Sequence, residues 1–321
     1  MNKTILVTGG AGFIGSHYIK YVLNNTDFFV RVLDCLTYAA NPQTIKDLEN
    51  NPCFEFIEGS ICDPIKVKEA MRGVVYVVNF AAETHVDNSI IKAENFIKTN
   101  VLGVDVLLKE AIRAKVKKFH QVSTDEVYGH LPDMREHFTL QSPLNPRNPY
   151  SATKAASEHL VTSYNNTYGL PTSITRGSNT YGTHQHPEKL VPKTITTFLK
   201  GEPMTVHGSG EQVRDWLSAE DHAAGIHTTL MPGKNGCAYN IGGNQELTNL
   251  NIIKMFADKM GISIPFVFVR DRPGHDFRYA LDNSETTADL GWKPQKRLEK
   301  EIDGLIRWYS QNPEWLKYFQ T

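Results

Sequence analysis

Val7-Thr8-Gly9-Gly10-Ala11-Gly12-Phe13-Ile14-Gly15 joins a short apolar run at 4–7 to a stretch with helical spacing at 13–23. Gly9, Gly12 and Gly15 set a GxxGxxG spacing. A turn without Cβ atoms lets the backbone approach a pyrophosphate at a helix N-terminus, where N–H groups and the dipole favour an anion. Glycines also make ordinary turns, so the reading leans on its neighbours. Asp34 closes the next apolar run, at 29–33, where a carboxylate can accept bonds from adenosine ribose hydroxyls. That charge repels a 2′-phosphate and favours NAD, with NADP as the alternative; Arg31, the nearby basic residue, sits inside the run. The expected cofactor contacts are Gly9, Gly12, Phe13, Ile14, Gly15 and Asp34, with Phe80, Ala81 and Ala82 closing a later run and Thr99 opening a helical stretch.

Outward from that turn, apolar runs at 54–58, 74–80 and 118–122 alternate with helical spacing, the longest at 95–114. Strands that read as continuous apolar runs are covered on both faces, which predicts an α/β, Rossmann-type doubly wound parallel sheet. Past residue 175 the alternation is lost. Prolines punctuate shorter pieces, with helical stretches at 191–200, 250–260 and 299–312. This predicts a cofactor domain over 1–175 and a smaller, mixed C-terminal substrate lobe over 176–321. Segments within 213–245, namely 213–217 and 238–241, are expected to return to the first sheet.

Composition narrows the function. The 321 residues carry 34 Lys and Arg against 35 Asp and Glu, a net charge of −1, with no long like-sign run. That balance argues against nucleic acid or a polybasic membrane anchor as partner. No apolar run is long enough to span a bilayer, and the first residues read as strand and turn rather than as a leader. Cys35, Cys53, Cys62 and Cys237 form no CxxC pair and no ligand spacing with histidine, so reduced thiols, a cytoplasmic location and no metal are expected.

Tyr150-Ser151-Ala152-Thr153-Lys154 is a YxxxK pair. At i and i+4 the two side chains share a helix face, so the ammonium can lower the phenol pKa and make Tyr150 a proton acceptor. Upstream, Val122-Ser123-Thr124-Asp125-Glu126-Val127-Tyr128-Gly129 sets two carboxyls directly after an apolar run. With these segments the chain resembles the extended short-chain dehydrogenases/reductases and, through Thr124-Asp125-Glu126, their nucleotide-sugar 4,6-dehydratases. Phe80-Ala81-Ala82-Glu83-Thr84-His85-Val86-Asp87, Arg176-Gly177-Ser178-Asn179-Thr180-Tyr181-Gly182, His186-Pro187-Glu188-Lys189-Leu190-Val191-Pro192 and Arg272-Pro273-Gly274-His275-Asp276 extend the likeness over the whole chain.

The resemblance implies a mechanism and a site. Tyr150 takes the sugar O4 proton as NAD oxidises C4, with Thr124 holding O4 beside the phenol and Lys154 beside Tyr150. Glu126 removes the C5 proton, Asp125 protonates the departing 6-hydroxyl, and the electrons return to C6. Asp125 must then carry a proton, so a pKa raised by burial and by its acidic neighbour is expected. Ser60 and Ile61 are implied at the adenine, Ser60 standing where the family usually has Asp. Glu83, Thr84, Asn179, Lys189, Leu190, Arg214, Asn249, Arg272, His275 and Tyr279 are implied around the nucleotide diphosphate sugar. Guanidinium groups such as Arg214 and Arg272 suit a pyrophosphate. dTDP-glucose is the first expectation, and UDP-glucose, UDP-GlcNAc or an epimerase-type or later-step deoxysugar enzyme are the alternatives, because Asn88 and Thr180 depart from the dTDP-type pattern. A homodimer formed through a helix bundle that includes the Tyr150 helix is implied as well.

Overall fold

The computed structural model describes residues 3–131, 133–263, 266–271 and 276–318. The strands run β1 (Thr4–Thr8), β2 (Phe29–Asp34), β3 (Phe54–Glu58), β4 (Val74–Asn79), β5 (Lys118–Thr124), β6 (Thr172–Gly177), β7 (Asn179–Tyr181), β8 (Met204–His207), β9 (Val213–Ser218), β10 (Cys237–Ile241), β11 (Glu246–Thr248) and β12 (Phe266–Val269). Seven of them form one sheet in the order β3-β2-β1-β4-β5-β6-β10, every pair parallel. The order reverses between β1 and β4, and a crevice opens at the strand C-termini where chains diverge in this way.

Both faces of the sheet are covered. Val67, Leu107, Leu108 and Val161 pack on one face, and Tyr18, Ile19, Ala223 and Ile226 on the other. Across the middle strands a buried polar chain replaces apolar contact. The Thr8 hydroxyl donates to Asn79 Oδ1 (2.5 Å), Asn79 Nδ2 to Gln121 Oε1 (2.8 Å), and Gln121 Nε2 to the Val122 carbonyl (3.0 Å). Buried amides that are all partnered fix one register, because any slip would orphan them.

Residue 175 falls inside β6, and the chain leaves the sheet only after Gly177. β10 is the sheet's outer strand, as the expected return at 238–241 has it. The expected return at 213–217 is corrected: β9 pairs with β7 and β11 in a separate three-stranded sheet. The reason lies in Asp215 on β9, whose buried carboxylate accepts from the N–H groups of Gly243 (2.8 Å) and Gln245 (2.7 Å). Those bonds tie β9 to the turn after β10 instead of to the sheet. Helix Ala219–Leu230 then crosses back onto the main sheet. Val191, Ile195, Trp216, Ile253, Phe256, Ile302 and Tyr309 form a second apolar core.

The stretch expected as one helix at 95–114 is three pieces: Ala93–Ile97, a π-helical turn Lys98–Gly103, and Val104–Ala114. A π-turn preserves apolar spacing on either side of it, so periodicity does not reveal it.

Helix Pro149–Tyr168 is anchored by a buried ion pair. Glu158 accepts from Arg176 Nε (3.0 Å) and Nη2 (2.6 Å), while Arg176 Nη1 reaches the Tyr128 hydroxyl (2.7 Å). Glu158→Ala leaves a buried guanidinium unpaired and is expected to cost about 3–5 kcal/mol in urea unfolding. Replacing both partners, Glu158→Leu with Arg176→Met, should recover most of that loss, since an apolar pair of similar volume needs no charge compensation.

Candidate active site

The C-terminal edge of the main sheet opens into one continuous cleft. Its floor is the glycine turn. Gly9 has φ +71°, and a Cβ there would lie 2.5 Å from the Ala81 backbone nitrogen; one at Gly15 would lie 2.4 Å from the Gly9 carbonyl. Only glycine lets these three chain segments close. Helix Phe13–Asn25 starts from Gly12 with no side-chain cap and no acidic residue in its first turn, so its leading N–H groups face the cleft for an anion.

Asp34 lines the same cleft and does more than the ribose role expected of it. Its Oδ2 accepts from Ala11 N (2.9 Å) and its Oδ1 from Leu36 N (2.9 Å), so the carboxylate also braces the turn. Burial raises its pKa, and these N–H bonds pull it back. Ser60, Ile61, Phe80, Ala81, Ala82 and Thr99 complete this half of the lining. The Ser60 hydroxyl accepts from Cys62 N (3.1 Å).

On the opposite side, β5 delivers Thr124 into a short 3-10 turn carrying Asp125 and Glu126. Facing it, helix Pro149–Tyr168 begins with a capping box between Asn148 and Ser151, which sets Tyr150 in the first turn. One turn on, Lys154 Nζ donates to the Val122 carbonyl (2.7 Å). Thr124, Asp125, Glu126, Tyr150 and Lys154 thus share one wall.

Electrostatics divide these groups. Burial, then the Glu126 and Asp215 charges, push Asp125 well above the usual carboxylate range. Burial raises Glu126 too, opposed by Lys189, Arg214 and a hydrogen bond from Asn148. Burial lowers Lys154 to about 8. The expectation that a cation depresses the Tyr150 phenol is not met in this state: burial and the Glu126 and Asp125 charges raise it, and the Thr124 hydrogen bond only partly offsets them. The ammonium is turned to the Val122 carbonyl, and the two carboxyls dominate the field at the phenol.

The residues implied for substrate divide as well. Glu83, Thr84, Asn179 and Lys189 line the cleft. Glu83 is held from both sides by Asn100, whose amide accepts from Glu83 N (2.8 Å) and donates to Glu83 O (3.0 Å) and Thr153 Oγ1 (3.0 Å). The Tyr38 hydroxyl donates to Glu83 Oε2 (3.1 Å) and takes a hydrogen bond from Asn88. Leu190, Arg214, Asn249 and Tyr279 lie off that lining. Leu190 packs against the second core. Arg214 donates from Nη1 to the carbonyls of Val213 and Phe277 and from Nη2 to that of Asp276, and it stacks on Tyr279, whose hydroxyl donates to the Asp276 carboxylate. Asn249 is the first residue of helix Asn249–Met260, which Thr248 caps, and its backbone N–H donates to the Gln212 carbonyl. Arg272 and His275 lie outside the described residues.

Asn100 and His222 carry no role in the sequence reading. Asn100 adjoins Thr99, a signal that was available; His222 has none, because its place depends on a helix that crosses back. The Thr180 hydroxyl donates to the Ser178 carbonyl (3.1 Å), so its oxygen accepts from His222 Nδ1 (2.8 Å). Burial holds His222 neutral, with a pKa lowered to about 4. Among the described residues, four buried polar atoms on this lining have no partner: His222 Nε2, Ser123 Oγ, Asp125 Oδ2 and Gln185 Oε1. Orphans of this kind, each costing desolvation, mark a surface built for a ligand.

Asp125 is the costly one for folding. Its native pKa lies above its unfolded value, so from about pH 4 upward the native state binds more protons than the unfolded chain, and stability falls as pH rises. Asp125→Asn should therefore raise the urea midpoint at pH 7, and the gain should vanish near pH 4. A variant no more stable than the parent at neutral pH would contradict this assignment.

Comparison with known proteins gives the site its context. The family model described as GDP-mannose 4,6 dehydratase matches residues 6–304. A dTDP-glucose 4,6-dehydratase of Haemophilus influenzae is 44% identical, covering 96% of this chain and 98% of that one. The crystal structure of DesIV, a dTDP-glucose 4,6-dehydratase of Streptomyces venezuelae with NAD bound, superposes with a TM-score of 0.95 at 41% identity, over 98% of this chain and 99% of that one. A UDP-glucuronic acid 4-epimerase of Bacillus cereus, also with NAD, shares the fold at TM-score 0.90 but only 28% identity, over 96% and 99% of the two chains. With a glycine turn, an acid pair and a Tyr-Lys helix meeting in one cleft, and with these likenesses spanning its length, the chain belongs to the GDP-mannose 4,6 dehydratase family of extended short-chain dehydrogenases/reductases.

Proposed function

We propose that this protein is an NAD-dependent dTDP-glucose 4,6-dehydratase, a hydro-lyase that converts its nucleotide sugar to the 4-keto-6-deoxy form. The observation that carries the reading is Asp125. It is 2% exposed, its pKa is raised, and its Oδ2 has no partner, beside Glu126 and across from Tyr150. A buried acid whose ionisation is opposed by burial and by a second carboxyl suits opposed proton transfers in one site. The relatives named above supply the nucleotide and the sugar.

The residues fit NAD. The Gly9 cradle and the uncapped helix start suit its pyrophosphate, Asp34 its ribose, Ser60 and Ile61 its adenine, and Ala81, Ala82, Thr99 and Lys154 the remainder. When bound, NAD supplies the reversible oxidation at C4 and reduction at C6. Tyr150 accepts the O4 proton, with Lys154 and Thr124 holding the phenol and O4. The 4-ketone acidifies C5, and Glu126 takes the C5 proton. Asp125 gives its proton to the 6-hydroxyl, which leaves as water, and C5 is reprotonated afterwards. Lys189 is assigned to the anionic diphosphate, and Glu83, Thr84 and Asn179 to the sugar; all four line the cleft.

The assembly is proposed to be a homodimer in the cytoplasm. Ile90 and Ile91 on helix Val86–Ile91, Ile97, and Leu102 in the π-turn are exposed at 60, 75, 49 and 57% on elements packed beside helix Pro149–Tyr168. The four cysteines are free, and no helix among the described residues is long and apolar enough to cross a membrane.

Incubation with dTDP-glucose should yield a product lighter by one water in mass spectrometry, faster than with UDP-glucose or UDP-GlcNAc; no water loss from any of the three would refute the activity. Glu126→Gln should lower kcat by roughly 10²–10⁴-fold while leaving NAD content unchanged, and an undiminished rate would remove Glu126 as the base. Ile91→Asp should shift the light-scattering mass toward that of one chain.

A further inference from the structure

At the mouth of the cleft, His85, His186 and Glu188 bring two imidazoles and a carboxylate together. One ligand atom from each lies within 4.8 Å of the others. The two rings meet edge to face, with centroids 5.1 Å apart. Glu188 Oε1 lies 2.7 Å from His85 Nε2, and Glu188 Oε2 lies 4.0 Å from His186 Nδ1. His85 follows β4 of the main sheet, whereas His186 and Glu188 lie between β7 and helix Leu190–Leu199. The three come from opposite sides of the cleft, a hundred residues apart in the chain.

We propose that this cluster is an inhibitory site for a borderline divalent cation of the zinc class. Two neutral imidazole nitrogens and one ionised carboxylate are the donor set that Zn²⁺, Co²⁺ and Ni²⁺ take, leaving a position open to water. His186 Nδ1 accepts from the Glu188 backbone N–H (3.3 Å), so a cation taken by that nitrogen replaces this hydrogen bond. In the cation-free state His85 Nε2–H donates to Glu188; on binding, that nitrogen offers its lone pair and the proton moves to Nδ1 or to solvent. The cation also displaces Lys189 Nζ, 3.3 Å from Glu188 Oε1 on a side chain that is 41% exposed and able to swing away. A bound ion would pin the segment after β4 to the segment before helix Leu190–Leu199, fixing the cleft mouth and moving the lysine that faces the anionic substrate. The inference concerns cation binding and stands apart from the identity of the sugar.

The test is equilibrium dialysis of the EDTA-treated full chain against Zn²⁺, with metal analysis, and Co²⁺ substitution followed by visible absorption. One zinc per chain is expected, with a Co²⁺ spectrum of low-coordinate type. His186→Phe and Glu188→Gln should each weaken binding at least tenfold; Glu188 is a half-exposed surface group, so its variant tests the site even if His186→Phe folds poorly. Zinc should also slow turnover of the parent, with reversal by EDTA. No stoichiometric zinc, or a zinc equivalent that survives both substitutions, overturns the proposal.

Discussion

Two buried cations hold helix Pro149–Tyr168 to the sheet, and the arrangement of the site depends on how each is satisfied. Arg176 on β6 is compensated by Glu158, and Lys154 is compensated by a single carbonyl, that of Val122. The first bond is an ion pair in a low-dielectric interior, where removal of either partner exposes the other to the full desolvation cost. The second is weaker and leaves the ammonium poorly stabilised, which is why burial can bring it down to about 8. A rigid anchor at one position and a tunable one a turn earlier give the helix fixed placement with adjustable charge. Tyr150 inherits both properties.

The neighbouring wall shows the complementary situation. Asp125, Glu126 and Asp215 lie in one field; burial and this repulsion raise Asp125, and the Arg214 charge opposes them. Folding stability is lowered at this wall in exchange for a carboxyl whose pKa burial and its acidic neighbours raise well above the usual carboxylate range. The same acids raise the Tyr150 phenol, so acid and base roles at this wall are coupled through space and not independently set.

The sequence is legible where the physics is local. The strands β1 to β5 are continuous apolar runs, and the glycine turn, Asp34 and the Tyr150-Lys154 spacing depend on residues close together in the chain. Legibility fails where distant segments decide. Nothing near Val213 reports that Asp215 will bond the turn at Gly243 and Gln245, which takes β9 out of the main sheet. Apolar spacing through 93–114 is satisfied equally by a plain helix and by one with a π-turn, so the turn that aims Asn100 at Glu83 is invisible. His222 reaches the cleft only because helix Ala219–Leu230 returns to the first layer. Arg214 shows a related dependence: which donors its guanidinium keeps for a ligand is set by the distant 276–277 segment, whose carbonyls accept from Nη1 and Nη2.

The break at Ser178 has a mechanical side. The chain passes between the two packing units at 177–179, at 218–219 and at 241–246, and helix Ser284–Leu290 packs back on β10 before helix Leu298–Gln311 rejoins the second unit. These crossings distribute any relative rotation over several separate stretches of backbone, two of them tied by hydrogen bonds between Asn283 and Gly242 and from Gly243 N to Ser178 Oγ. A wide swing about a single pivot would shear all of them at once. The two halves of the cleft are thus restricted to small-amplitude motion, and ligands enter by displacement of side chains at the rim more than by separation of the lobes.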